Sequence, residues 1–259
     1  MRLKNLFKHW GSPEPARNVR ASEEHLQRYR TEGFRSVEGW GVDSPLIEVF
    51  IHVDDFQRAH GVRGSLVEIG IHHGRTLLLL GLLRNEGERV VGIDLFEDAQ
   101  EQNLDFSGSG SYVAFQDNAK RHAPGVDFTI VAGNSLALDA ESVDAMNGCR
   151  LFHIDGGHYR EIVSNDLLLA QTALGLGGVI VVDDYWHSGF PEVQEAVNRY
   201  FRTSSVLKAV PVMTGMNKLF LAHLSHKDRL LDYMAARMPP DRNKRVTVLG
   251  YPAICIDPH

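Results

Sequence analysis

The stretch SLVEIGIHHGRT, residues 65–76, decides the fold. A short apolar run, SLVEI, meets a loop with glycines at 70 and 74, and the aliphatic run LLLLGLL follows at 77–83. An apolar run too short for a helix, a glycine turn and then a helical pattern make the first half of a strand–helix–strand unit. Outward from it the same alternation recurs. Apolar runs stand at RVVGID (89–94), DFTIVAG (127–133), RLFHID (150–155) and GVIVVDD (178–184), with helical stretches near 75–85, 112–123, 139–147 and 159–174 between them. Near-continuous Val/Ile/Leu runs fit strands buried on both faces, so the chain is expected to be α/β, a doubly wound, mostly parallel seven-stranded sheet. After a helix near 191–202, VLKAVPV and NKLFLAH are expected to form an antiparallel hairpin closing the sheet edge.

Three segments follow from this pattern. Residues 62–223 hold the sheet. Residues 1–61 read as an N-terminal helical cap, with helices near 23–38 and 45–60 and an amphipathic start, MRLKNLFKHW, that suits contact with its own domain or a second subunit. GSPEPARNVRAS, 11–22, reads as a linker. Residues 224–259 form a C-terminal extension, with a helix near 226–238 and a strand-like segment, RVTVLGYPAICI.

Composition narrows the function. The 259 residues are 43% hydrophobic, ample for a core, and carry a net charge of −6. No block of Lys and Arg approaches the density needed along a line of phosphates, so nucleic acid is not expected as a partner. Two cysteines, Cys149 and Cys255, lack metal or disulfide spacing and fit a cytoplasmic setting. The longest aliphatic run falls far short of the ~20 residues of a membrane span.

Ligands of such sheets bind at the carboxyl ends of the strands, where Glu68, Asp94, Asn134, Asp155, Asp183 and Asp184 are all placed. The loop reads E-x-G-x-x-x-G through Glu68, Gly70 and Gly74, with Thr76 opening the helix. A dinucleotide fingerprint would need glycine at 72 and 75, where His72 and Arg75 stand, which disfavours NAD. Asp94, 24 residues after Gly70, is placed to accept both hydroxyl protons of a ribose. Asp155, Asp183 and Asp184 are hard oxygen donors of the kind Mg²⁺ prefers, and adjacent carboxylates repel unless a cation intervenes. His158 follows Asp155 by three residues, and imidazole is a suitable proton acceptor near neutral pH.

The loop resembles motif I of class I S-adenosylmethionine (SAM) methyltransferases, a Rossmann-like family. That resemblance implies a loop beside the methionine part of SAM, and adenine contacts from Asn134 and Ser135 in GNS (133–135). An Asp, a base three residues later and an acidic pair about 28 residues on resemble the metal-dependent O-methyltransferases over residues 62–223. Catechol-type members carry Lys and Asp-Asn at these places. The match is closer to the sugar O-methyltransferases of the macrocin, mycinamicin and TDP-rhamnose type. The resemblance implies Mg²⁺ on Asp155, Asp183 and Asp184, His158 as base, with Asp155 the alternative, and a hydroxyl of a sugar or sugar nucleotide as acceptor. Tyr159, Trp186 and His187 are placed to contact that acceptor, and residues 34–46 with YWHSGF to cover it. The amphipathic start and the tail suit a homo-oligomer. The other readings are a catechol-like O-methyltransferase, a SAM-fold protein that binds without turnover and an NAD-dependent oxidoreductase.

Overall fold

A computed structural model describes residues 20, 22–41, 45–105, 107–138 and 140–256. The expected amphipathic helix of residues 1–10 and most of the linker 11–22 lie outside the described residues. Helix α1 (Glu23–Arg28), capped by the Ser22 hydroxyl, runs through a π-helical turn, Tyr29–Gly33, into α2 (Phe34–Ser36), and α3 (Leu46–Ala59) follows. The alternating core then reads β1 (Leu66–Ile69), α4 (Arg75–Leu83), β2 (Val90–Asp94), α5 (Tyr112–His122), β3 (Phe128–Ala132), α6 (Ala140–Met146), β4 (Cys149–Ile154), α7 (Arg160–Ala173) and β5 (Leu174–Val182). Helix α8 (Pro191–Thr203), β6 (Ala209–Gly215), β7 (Lys218–His223), α9 (Lys227–Arg237), β8 (Asn243–Val248) and β9 (Tyr251–Ile256) complete it.

The strands form one sheet in the order β3-β2-β1-β4-β5-β7-β6-β9-β8, parallel from β3 to β5. It has nine strands where seven were expected, and the β6–β7 hairpin is internal to it. RVTVLGYPAICI is two strands, because Leu249 and Gly250 both take positive φ, 51° and 86°, and turn the chain back on itself. β9 then pairs in parallel with β6 at Met213–Gly215 and covers backbone groups that an edge would leave open. The segment read as an extension from residue 224 is thus continuous with the main sheet.

Alternation along each strand sends side chains to two helical layers. Leu66, Leu151 and Val179 pack with α3, α4 and α9, while Val67, Phe152 and Ile180 pack with α7 and α8. Strand order reverses between β1 and β4, so a crevice opens above their carboxyl ends. There the backbones nearly touch: Gly70 sits at φ 87°, and a Cβ on it would lie 1.8 Å from the carbonyl oxygen of Asp155. Only glycine fits.

At the opposite end of β4 a buried cation ties the layers. Arg150, fully buried, donates to Gln57 Oε1 (2.7 Å), the Leu83 carbonyl (2.9 Å) and the Glu88 carboxylate (3.0 Å), and pairs with Asp54 at 2.9 Å. Removing one partner of a buried ion pair leaves the others desolvated and uncompensated. Arg150→Met is therefore expected to lower the unfolding free energy by about 3 kcal/mol, read by urea denaturation; a loss below about 1 kcal/mol would mean that the cluster contributes little net stability.

Candidate functional site

A cavity of about 670 Å³ lies over the carboxyl ends of β1, β2, β4 and β5. Of the residues expected there, Glu68, Gly70, Thr76, Asp94, Asn134, Ser135, Asp155, His158, Asp183, Asp184 and His187 line it. Gly74 does not. It caps α4 at φ 93°, where a Cβ would meet the Phe115 ring at 2.6 Å, so its part is the turn and the packing behind it. Tyr159 and Trp186 also stand outside the lining: Tyr159 donates to the Leu104 carbonyl at 3.4 Å, and the Trp186 indole donates to Thr214 Oγ1 at 2.5 Å.

The end of the cavity beside the glycine loop is held by Asp94. Its Oδ2 accepts from the backbone N–H groups of Ile71 (2.6 Å) and His72 (2.8 Å), and its Oδ1 from Phe96 (2.8 Å). The carboxylate that closes β2 thereby fixes the glycine loop after β1. Asn134 caps the short turn Ser135–Ala137 by accepting from Leu136 N–H at 3.0 Å. Part of the expected cover is present: Phe34, Glu38, Trp40 and Leu46 from the N-terminal segment line the cavity, with residues 42–44 outside the described residues. Arg75 fastens this cover by donating to the carbonyls of Val37 (3.0 Å) and Trp40 (2.6 Å).

The other end gathers the titratable groups. His158 Nε2 lies 2.9 Å from Asp184 Oδ2 and Nδ1 lies 3.0 Å from Asp105 Oδ2, while the ring stacks on Phe190 at 3.8 Å between centroids. Burial works against a charged ring, but the hydrogen bond to Asp184 and the charge of Asp105 outweigh it and hold the His158 pKa above its ordinary value. One ligand atom each from Asp155, His158 and Asp184 falls within 4.8 Å of the others, a donor set that fits a divalent cation. Asp183, expected to complete the carboxylate trio, is engaged otherwise. Its Oδ1 accepts from Asp184 N–H (2.7 Å) and its Oδ2 pairs with Lys218 Nζ. Against the cost of burial, Lys218 and then His153 hold the Asp183 carboxyl well below the usual carboxylate range. Burial and the neighbouring Asp183 charge push Asp155 well up.

Four contributors escaped the sequence reading. Asp105 and Asn217, which donates to Asp184 Oδ1 at 2.5 Å, come from loops with no periodic signal. Lys218 opens β7, two strands from Asp155 in the sheet. His153 stands inside an apolar run and is fully buried; its position two residues before Asp155, and so on the same strand face, was the available clue. Its Nδ1 lies 2.8 Å from Glu68 Oε1 and its Nε2 3.5 Å from Asp183 Oδ2. Although burial opposes it, the facing carboxylates of Asp183 and Glu68 push the His153 pKa up to about 10.

Comparison with known proteins follows the geometry. Residues 67–185, from β1 to just past β5, match the model of a family described as a methyltransferase domain. An uncharacterized protein of Acanthamoeba polyphaga mimivirus is 27% identical over 195 residues, which cover 63% of this chain and 80% of that protein. Among solved structures, the O-methyltransferase NovP has a TM-score of 0.54 at 17% identity, over 68% of this chain and 78% of that one. The cofactor-bound Rv0187 from MTB has a TM-score of 0.53 at 15% identity, over 83% of this chain and 99% of that one. At such identities the likeness to the two structures is one of fold.

Behind the cavity wall, Asp166 is fully buried, takes a hydrogen bond from Ser135, and leaves its Oδ2 without a partner. Burial raises its pKa to about 6. A carboxyl whose folded pKa is raised stabilises the fold below the ordinary value and loses that contribution as pH climbs to the folded one. Asp166→Asn is therefore expected to unfold at higher urea than the parent at pH 7, by roughly 2–3 kcal/mol, with the difference vanishing near pH 4. A difference independent of pH would contradict the assignment.

Proposed function

We propose that this chain is a SAM-dependent methyltransferase that transfers the methyl group to a hydroxyl of a sugar or sugar-nucleotide acceptor, with a divalent cation such as Mg²⁺ at the acceptor end. The observation that carries the reading is the meeting of Asp155, His158 and Asp184 at one end of a cavity whose other end is a glycine loop tied to Asp94. The residues present fit both groups. Glu68 Oε2, buried and without a partner, would accept from a cationic ligand group, and Asp94 would meet the ribose hydroxyls beside a backbone that only Gly70 allows. Asp155 and Asp184 supply the hard oxygens, with His158 beside them.

SAM supplies a methyl on a sulfonium, and a divalent ion lowers the pKa of a hydroxyl bound to it. The remaining work belongs to the chain. Asp105 accepts from Nδ1 of His158 and Asp184 faces Nε2, so the ring is oriented between two carboxylates, and Nε2 would be open to the hydroxyl proton once Asp184 turns to the cation. With SAM held by Glu68, Gly70 and Asp94, its sulfonium methyl would be open to the acceptor oxygen, the sulfur keeping the electron pair, and His158 would hold the proton that the hydroxyl loses. Phe190 stacks on the imidazole plane and Arg75 fastens residues 37–40 over the cavity, so positioning is expected to supply much of the rate.

Isothermal titration is expected to give binding heats with SAM and none with NAD; heats with NAD alone would sink the cofactor reading. With sugar nucleotides and catechols screened side by side for the mass of one added methyl, sugar acceptors are expected to respond. EDTA should abolish that turnover and Mg²⁺ restore it. His158→Ala is expected to lose about 10²–10⁴ in turnover with SAM affinity nearly unchanged, and an equally active variant would move the base to Asp155.

A further inference from the structure

We propose that His153 is a positioning residue that ties Glu68, at the cofactor end of the cavity, to Asp183, at the acceptor end, so that the two ends bind their ligands cooperatively. The inference rests on the functional reading above, which supplies a ligand for each end. Register places the three residues in line. Glu68 on β1 is the direct neighbour of His153 on β4, and His153 is the neighbour of Val181 on β5, two residues before Asp183.

Three observations give the ring this part. First, both ring nitrogens face carboxylates: Nδ1 lies 2.8 Å from Glu68 Oε1, and Nε2, which makes no hydrogen bond, stands at ion-pair distance from Asp183 Oδ2, 3.5 Å, so a shift of either carboxylate acts on the imidazole. Second, the ring has no freedom of its own. It is fully buried, and Phe50 packs across it edge to face at 5.7 Å. Third, Glu68 and Asp183 both line the cavity, whereas His153 is absent from its lining. The far carboxylate extends the chain to Lys218, whose ammonium binds the same Asp183 oxygen that faces the ring.

The orphan Glu68 Oε2 marks the end of this chain that a cationic ligand group completes. Drawing Glu68 toward such a group draws on its bond with His153, and thereby on the competition between His153 and Lys218 for Asp183. Any coupling of this kind is reciprocal: what binds beside Asp183 alters affinity beside Glu68 by the same factor. Distance makes the effect diagnostic. β1 and β7 are separated by β4 and β5, about 14 Å at the usual strand spacing, and substitutions so far apart act additively unless they share a network.

The test is a thermodynamic cycle read by isothermal titration with S-adenosylhomocysteine. Lys218→Met is expected to change its dissociation constant by 5-fold or more in the His153 protein and by less than 2-fold in the His153→Phe background. Equal factors in both backgrounds, or no effect of Lys218→Met in the parent, would overturn the proposal, since a residue that merely fills the core would lower the melting temperature and leave the two effects additive. If His153→Phe shows no cooperative melt, the cycle of Glu68→Gln with Lys218→Met asks the same question at the two ends: interdependence supports the relay, and independence overturns it. A parent protein that binds no S-adenosylhomocysteine would instead defeat the cofactor reading on which the proposal rests.

Discussion

The close approach of β1 and β4 at their carboxyl ends is the constraint on which the rest depends. Gly70 at positive φ, with the Asp155 carbonyl where its Cβ would be, lets two parallel strands diverge into loops without a side chain between them. The crevice at the switch of strand order is therefore floored by backbone, and the groups that work in it come from the ends of the strands around it. Asp155 and Asp183 follow as consequences, since their N–H groups continue the ladder to Ile69 and Ile154 at 2.8 and 2.9 Å.

Electrostatics then divides the cavity. Five carboxylates, Glu68, Asp105, Asp155, Asp183 and Asp184, gather with His153, His158 and Lys218. Buried like charges at such separations raise one another's cost unless each is paired or hydrogen-bonded. The pairing is unequal. Asp183 takes Lys218 and lies far below the usual carboxylate range, while Asp155, with no such partner, is pushed up. The expectation that the repulsion between adjacent carboxylates calls for a cation is thus met in part by the chain's own ammonium, and the donors that gather around Asp155 are Asp184 and the imidazole.

The cover shows how the N-terminal segment joins the site. Arg75 stands at the first position of α4, directly after the glycine loop, and its guanidinium holds carbonyls of residues 37 and 40. Tyr29 returns the contact by donating to the Arg75 carbonyl at 2.7 Å. A residue that argued against a dinucleotide loop therefore serves as the fastening for the lid of the cavity.

Local sequence determined a good deal of this. Strand and helix placement from residue 65 to 203 was legible because burial on both sheet faces writes continuous apolar runs, and glycines at 70 and 74 mark a turn that other residues cannot take. Asp94, Asp155, His158 and Asp184 were legible because each sits at or just beyond the end of such a run, where the fold delivers side chains to one crevice. What the tertiary structure alone decided is which of these groups are partnered and by whom. Lys218, Asp105 and Asn217 reach the site from other strands and loops, and hydrogen bonds across 33 to 53 residues leave no periodic trace in a single chain. The ninth strand was hidden for a similar reason: a two-residue turn at Leu249 and Gly250 breaks no hydrophobic pattern, and only the pairing of β9 with β6 reveals it.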